Sequence, residues 1–349
     1  MTYVFGSLHG KPSPERVGRR NDYHGGNRGE TMHAVVLAGG YATRLWPITR
    51  HRPKMLLPVG DSTVIDRILS DLETDDRIEH VYLSTNERFA PAFEEHLADK
   101  GYEKASLSIE DTLGENEKFG VVGALAQLVD REGVDDDLLV VAGDNLMGFS
   151  MSDFLDFSEE KSAPSIAAYD VGSREKAKSY GLVALEGDRV VDFQEKPEEP
   201  KSTLVSIACY AFPADSVRFE EYLSGDNNPD EPGWYVQWLQ SEEDVFAYSF
   251  EEPWYDIGTP DAYLEAVQWA LDGESIVAAD ATVEDCEVGE NVHVMPGADL
   301  SGVSLTNSVV FHDAVVEDSN LVDSIVDEHA EVTGKTLTHS LVGSYSRLC

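Results

Sequence analysis

Basic residues are scarce in this chain. Twenty-six Lys and Arg stand against 66 Asp and Glu, a formal net charge of −40 over 349 residues. So negative a protein has no basic face for a phosphate backbone, which excludes a plain nucleic-acid binder. Cysteine is nearly missing: Cys209, Cys286 and Cys349 lie far apart and without metal-ligand spacing. Neither a disulfide framework nor a zinc site is expected, and reduced thiols in a reducing compartment are. No run approaches the ~20 apolar residues of a spanning helix, and the first thirty residues lack the apolar core of a secretory signal. A cytoplasmic protein with no membrane partner is the expectation.

Hydrophobic content of 42% and aromatic content of 9% are ordinary for a globular chain. The acidic residues are spread over helices and loops instead of forming a tail. That pattern reads as a halophilic surface, hydrated and soluble at high salt where screening removes self-repulsion. An acidic partner-binding face is the alternative.

Residues 1–31 stand apart, with five basic and three acidic residues, many glycines and prolines and no periodicity. They are expected to be a disordered extension, with Met32 as the initiator. From Met32 onward, short β-rich runs ("HAVVLA" 33–38, "HVYLST" 80–85, "LSIE" 107–110, "LLVVAGD" 138–144, "SIAAYDV" 165–171) alternate with segments of helical spacing (63–73, 89–100, 121–132, 152–161). This predicts an α/β domain over 32–274: a Rossmann-like mixed, mainly parallel sheet with helices on both faces and ligands beyond the carboxyl ends of the strands. Residues 180–196 read as a hairpin turning at Glu186-Gly187-Asp188. The 261–273 segment reads as a closing helix capped at Gly273. After Ser275 apolar residues recur every six positions: Val288, Val294, Leu300; Val303, Val309, Val315, Leu321; and Val310, Val316, Val322. A six-residue period predicts a short parallel β-helix of hexapeptide repeats over 275–349, about three or four coils, whose end coil serves homo-oligomerisation.

One absence is local. From Thr31 to Gly60 there is no Asp or Glu, where the average acid density would place about six, while Arg44, Arg50, Arg52 and Lys54 crowd together. The stretch follows a buried strand, at the sheet edge where phosphates are held. Gly39 and Gly40 let backbone N–H groups face an anion, and Arg44 and Lys54 supply charge.

"LAGGYATRLWPITRHRPK" resembles the signature of the sugar-phosphate nucleotidyltransferases, or nucleotide-sugar pyrophosphorylases, closest in kind to the glucose-1-phosphate thymidylyltransferases. The resemblance covers roughly 32–272 and recurs at "AGDN" (142–145), at "YG" and "EKP" (180–181, 195–197) and at "WYDIGTP" (254–260). It departs from the family at Ala42, where a third glycine is usual and alanine would be strained if φ is positive. The resemblance implies an enzyme joining a nucleoside triphosphate and a sugar 1-phosphate into an NDP-sugar and pyrophosphate. Glucose 1-phosphate with dTTP or UTP is the leading pair, and mannose 1-phosphate with GTP the runner-up. It further implies that Arg44 and Lys54 stabilise charge at the reacting phosphorus. Leu37, Gly39, Gly40, Glu110 and Gly120 would hold the nucleotide, with 110–125 as the turn beside the base. Gly181, Glu195 and Lys196 would hold the sugar phosphate, and Asp144 and Asp256 would share Mg²⁺. A catalytically silent regulatory paralogue and a bifunctional enzyme with an acyltransferase β-helix are the readings from other classes. His293, His312, His329 and His339 are expected to face solvent, and Trp234, Tyr235 and Trp238 to form a packed helix face.

Overall fold

Along the first strand, β1 (Met32–Leu37), the side chains divide between two cores. Ala34 and Val36 join one apolar cluster and Val35 joins another, each residue fully buried. Period-two burial on both faces requires a sheet covered on both sides. The computed structural model, which describes residues 31–110 and 120–349, shows such a sheet. Residues 1–30 of the N-terminal extension expected over 1–31, and residues 111–119 of the base-contacting turn expected over 110–125, lie outside the described residues.

Among the described residues, thirteen strands and eight α-helices precede residue 272. The strands are β1, β2 (Pro58–Val59), β3 (Ser62–Thr63), β4 (Ile78–Asn86), β5 (Ala105–Glu110), β6 (Asp137–Ala142), β7 (Asn145–Met147), β8 (Ser165–Asp170), β9 (Gly181–Glu186), β10 (Arg189–Glu195), β11 (Leu204–Phe212), β12 (Phe246–Phe250) and β13 (Trp254–Asp256). The helices are α1 (Val64–Thr74), α2 (Ala90–Lys100), α3 (Val121–Glu132), α4 (Met151–Lys161), α5 (Arg174–Ala177), α6 (Phe219–Ser224), α7 (Pro232–Glu242) and α8 (Pro260–Leu271). Nine strands form the main sheet in the order β5-β4-β1-β6-β11-β8-β12-β10-β9. Its parallel character is concentrated in β5-β4-β1-β6, because β11 runs antiparallel to both β6 and β8. One core gathers Ile65, Leu69, Phe93 and Phe154 from α1, α2 and α4; the other gathers Val122, Leu125, Phe219 and Tyr235 from α3, α6 and α7. Trp234, Tyr235 and Trp238 belong to that second cluster, packed as a helix face. At the end of α8 the left-handed residue is Asp272 (φ 48°), with Gly273 following at φ 85°, so the cap expected at Gly273 falls one residue earlier.

Beyond residue 275 fourteen short strands stack into three parallel sheets, the form of a left-handed β-helix. The repeat differs from the hexapeptide expectation. Partners in the first sheet are Ile276, His293, Val309, Ile325 and Leu341, spaced by 17 residues and then by 16. Inward residues run Val294, Leu300, Leu305, Val310, Val316, Leu321, Val326 and Val332, steps of six, five and five. Only one corner in three is a hexapeptide step, and the coil count exceeds four. The six-residue rows therefore drift off the core: Val288 is 38% exposed while Val294 is buried.

Corners are turned by Asn and Asp in the left-handed region, among them Asn291, Asn307, Asp313, Asp318 and Asp323. Asn291 donates to Asn307 (3.0 Å) and Asn307 to Asp323 (3.1 Å), a ladder one coil apart. His329 and His339 occupy such corners (φ 55° and 46°), and with His312 they are exposed. His293 corrects the solvent-facing expectation. It shares a register column with Val309 and Ile325 on the outward face of the first sheet, and it is buried. That face packs against the rest of the protein: Met295, Val309, Phe311 and Ile325 form one cluster with Leu45, Ile48, Leu57, Tyr263 and Val267.

Among the described residues no helix is long and apolar enough to cross a membrane.

Candidate active site

The parallel register sets one edge of the sheet. Leu37 pairs with Ser84 and Ala142, and Asn86 pairs with Glu110, so β1, β4, β5 and β6 end together. The loop after β1 is tied there by its own carbonyls. Thr85 Oγ1 donates to the Ala38 carbonyl (3.2 Å), Asn86 Nδ2 to the Gly39 carbonyl (2.9 Å), and the Ala38 amide to the Ser84 carbonyl (2.7 Å). The Glu110 carboxylate accepts from Ser84 Oγ (3.0 Å) and stands where a Cβ on Gly39 would come within 3.5 Å of it.

Over this edge opens a cavity of about 370 Å³, within the range of small-ligand sites. Leu37, Gly39, Gly40, Glu110, Gly120, Asp144, Gly181, Glu195, Lys196 and Asp256 all line it. Arg44 and Lys54 are not among its lining residues. Arg44 is exposed, close enough for its charge to act on Asp256 and Tyr180. Lys54 is half-buried behind the wall, and its ammonium donates to Asp144. The acid-free stretch thus supplies one side only. Glu110, Asp144, Glu195, Glu231 and Asp256 bring five carboxylates to the remainder, more than expected from sequence.

Asp144 and Asp256 come together through a small ribbon. β7 and β13 pair antiparallel with Asp256 opposite Asn145, and the Ile257 amide donates to the Asp144 carbonyl (3.1 Å). Trp254 Nε1 bonds Asn145 Oδ1 (2.8 Å), and Tyr180 donates its hydroxyl to Asp256 (3.3 Å). Burial raises the Asp256 carboxyl above its ordinary range and the Asp144 charge raises it further, while Lys54, Tyr180 and Arg44 oppose the shift. Two carboxylates forced together in a partly desolvated cleft are a donor set that a divalent cation satisfies. The pair fits such an ion on that ground. A second group, His33, Glu79 and Asp136, brings ligand atoms within 4.8 Å of one another, with both acids exposed. It lies at the amino-terminal end of β1, opposite the cavity.

On the far wall, Glu195 ends β10. A Cβ on Gly181 would stand 2.9 Å from its Oε2, and one on Gly233 would stand 1.7 Å from it, so the carboxyl is wedged between two glycines. Burial there lifts its pKa to about 7; Lys196 pulls it down and Glu231 pushes it up. Lys196 pairs with Glu231 and adopts the left-handed region (φ 44°), a strained conformation for lysine. Gly120 (φ 75°) has Pro229 O where its Cβ would be, 2.3 Å away, so the start of α3 fits against that loop only as glycine. Ala42 does take a left-handed conformation, φ 47° and ψ 47°, and its carbonyl accepts from Thr49 Oγ1 at 2.8 Å.

Sequence reasoning missed Glu231, Gly233, Ser206, Tyr210 and Trp254 in this wall. Glu231-Pro232-Gly233 opens α7 and carried a helix-start signal at Pro232, but nothing local ties it to residue 195.

The nucleotidyl transferase family model matches residues 33–273. A protein of Sulfolobus acidocaldarius provisionally named a mannose-1-phosphate guanyltransferase is 30% identical over 234 residues, covering 67% of this chain and 61% of that one. The mannose-1-phosphate guanylyltransferase of Mycobacterium tuberculosis is 27% identical over 301 residues, covering 80% of each. A crystal structure from Bacillus anthracis, provisionally described as a glucose-1-phosphate thymidylyltransferase in complex with a sucrose, superposes with a TM-score of 0.60 at 22% identity. It covers 69% of this chain and 96% of its own. Three of the curated relatives are spanned over only 61%, 55% and 58% of their own length.

Proposed function

This chain belongs to the nucleotidyl transferase family, and on that premise we propose that it joins a nucleoside triphosphate to a sugar 1-phosphate, releasing pyrophosphate. A phosphate oxygen of the sugar, already ionised at neutral pH, attacks the α-phosphorus. The bond from that phosphorus to the bridging oxygen breaks, and the electron pair leaves with pyrophosphate. No side-chain nucleophile is needed, so catalysis consists of positioning and charge stabilisation. The observation that carries the reading is the convergence of Gly39-Gly40, Asp144, Glu195-Lys196 and Asp256 on one cavity from four separated segments.

In this reading Leu37 and the amides at Gly39 and Gly40 hold the nucleotide, with Glu110 and Gly120 beside the base. Lys54 and Arg44 stabilise charge as pyrophosphate departs. Glu195 accepts hydrogen bonds from sugar hydroxyls, Gly181 lets the sugar approach the backbone, and Lys196 meets the sugar's phosphate. Asp144 and Asp256 would hold Mg²⁺, which supplies charge neutralisation between the phosphates and the two carboxylates. Glucose 1-phosphate with dTTP or UTP is the first pair proposed. Mannose 1-phosphate with GTP is the second, favoured by the names of the two mannose-1-phosphate relatives. The β-helix is proposed to mediate homo-oligomerisation through its end coil.

The test is pyrophosphate release by the purified chain in molar salt, across five triphosphates and several sugar 1-phosphates. One pair should dominate, and Lys54→Ala and Asp144→Asn should each lower its turnover by at least ~100-fold, the scale of losing one preorganised charge. No release with any pair would sink the reaction. Near-normal turnover in both variants would sink the assigned roles.

A further inference from the structure

The signature loop is fastened to the β-helix by a partly buried ion pair. Arg52 Nη2 donates to Asp327 Oδ1 (2.9 Å) and pairs with Glu328 Oε2 (2.9 Å), and its guanidinium lies 4.6 Å from the Phe311 ring centroid. Met295, Phe311, Asp327 and Gly343 occupy equivalent places, each just after an inward valine of the first sheet and 16 residues apart. Met295 and Phe311 fill their places with apolar bulk against the domain. The next coil presents a carboxylate instead, at 1% exposure. Burial drives that carboxyl upward, opposed first by Arg52 and then by the Glu328 amide. A buried charge of this kind is expensive unless paired, and apolar packing of the sort seen one coil earlier was the cheaper solution. In the last coil Gly343 takes Pro47 of the same loop: a Cβ there would stand 2.4 Å from Pro47 Cγ.

We propose that Asp327 is a positioning residue of the reaction: from the β-helix it fixes Arg52, and through it the Pro53-Lys54 turn that sets Lys54 against Asp144. This rests on the role given to Lys54 above. Two residues separate Arg52 from Lys54 by at most about 7 Å of backbone, so anchoring the guanidinium restrains the backbone that carries Lys54. The loop is then held from both ends, by Asp327 on the β-helix side and by Asn86 and Asp144 on the sheet side. A misplacement of about 1 Å in such a group can cost 10²-fold in rate.

The test uses the full chain in molar salt, with steady-state kinetics and hydrogen exchange read on the same variants. Asp327→Asn should lower kcat by about 10- to 100-fold while KM for the triphosphate moves far less. Amides of residues 43–57 should exchange faster, with those of 137–142 unchanged. Arg52→Gln should match it, the double variant should be no worse than either, and Asp327→Glu should recover part of the rate. A folded Asp327→Asn chain with wild-type kcat and wild-type exchange would overturn the proposal. So would loop and sheet amides loosening together, which marks a staple of global stability only. A wild-type chain inactive with every substrate pair would overturn the assigned reaction instead, an outcome distinct from an active wild type with an unaffected Asp327 variant.

Discussion

Glu195 shows how one side chain carries both packing and chemistry. Wedged against Gly181 and Gly233, its carboxyl gives up its proton near pH 7, where an ordinary glutamate does so near 4.5. Between those values the folded chain keeps a proton that the unfolded chain has lost, so this group makes stability fall as pH rises through that window. Asp66 does the opposite. Burial raises its carboxyl, but hydrogen bonds from His96, the Thr63 amide, Lys100 and Tyr102 outweigh that and hold it well below the usual range. Its stabilisation is present above the ordinary carboxylate pKa and is lost as pH falls through the folded value. If the Glu195 carboxylate binds sugar hydroxyls, KM for the sugar 1-phosphate should fall as pH rises from 6 to 8 in the wild type. Glu195→Gln should lose that part of the slope. The phosphate's own titration, near pH 6, is common to both proteins and cancels. Equal slopes in the two would refute the assignment. Of the site, what was legible in the sequence was legible in contiguous motifs: Gly39-Gly40, Asp144, Glu195 and Asp256 each sit at the end of a strand. Glu231 and Gly233 were not, because they meet Glu195 only through the packing of α7 on β10.

At the scale of elements, the sequence resolves the long helices and the parallel strands, while the short α5 and α6 went unread. The 121–132 run forms α3 over the same residues. Strand β11, which runs antiparallel to both β6 and β8, and strand β12, which runs parallel to β8, were passed over because neither bears a chemical motif. The β-helix was legible in kind but not in period. Val294 to Leu300 is a six-residue step, yet Leu300-Leu305-Val310 advances by fives, and a fixed period of six walks onto surface residues such as Val288. The 16-residue coil makes a direct prediction. Leu321→Ala should destabilise the chain by about 2–5 kcal/mol, the cost of a core cavity, whereas Val288→Ala should stay within about 0.5 kcal/mol. Urea unfolding in molar salt measures both, and similar losses would contradict the observed stacking.

The whole molecule is strongly anionic, yet its functional reading needs a site for two polyanions. Both requirements are met by confining Arg44, Arg52 and Lys54 to a stretch without acids and giving each a carboxylate-bearing neighbourhood. Self-repulsion from a net charge of −40 should weaken as salt shortens the Debye length to about 3 Å at 1 M. The thermal midpoint should therefore climb between 0.1 and 2 M KCl; a flat or falling midpoint would remove the halophilic reading. The edge formed by β1, β4, β5 and β6 is proposed to receive a triphosphate while Asp144 and Asp256 share a divalent ion. Crystals soaked with nucleoside triphosphate and Mg²⁺ test it most directly. Phosphate density is expected on the Gly39 and Gly40 amides beside Lys54, with the ion between the two aspartates. Nucleotide bound elsewhere, or an edge left empty under those conditions, would contradict it.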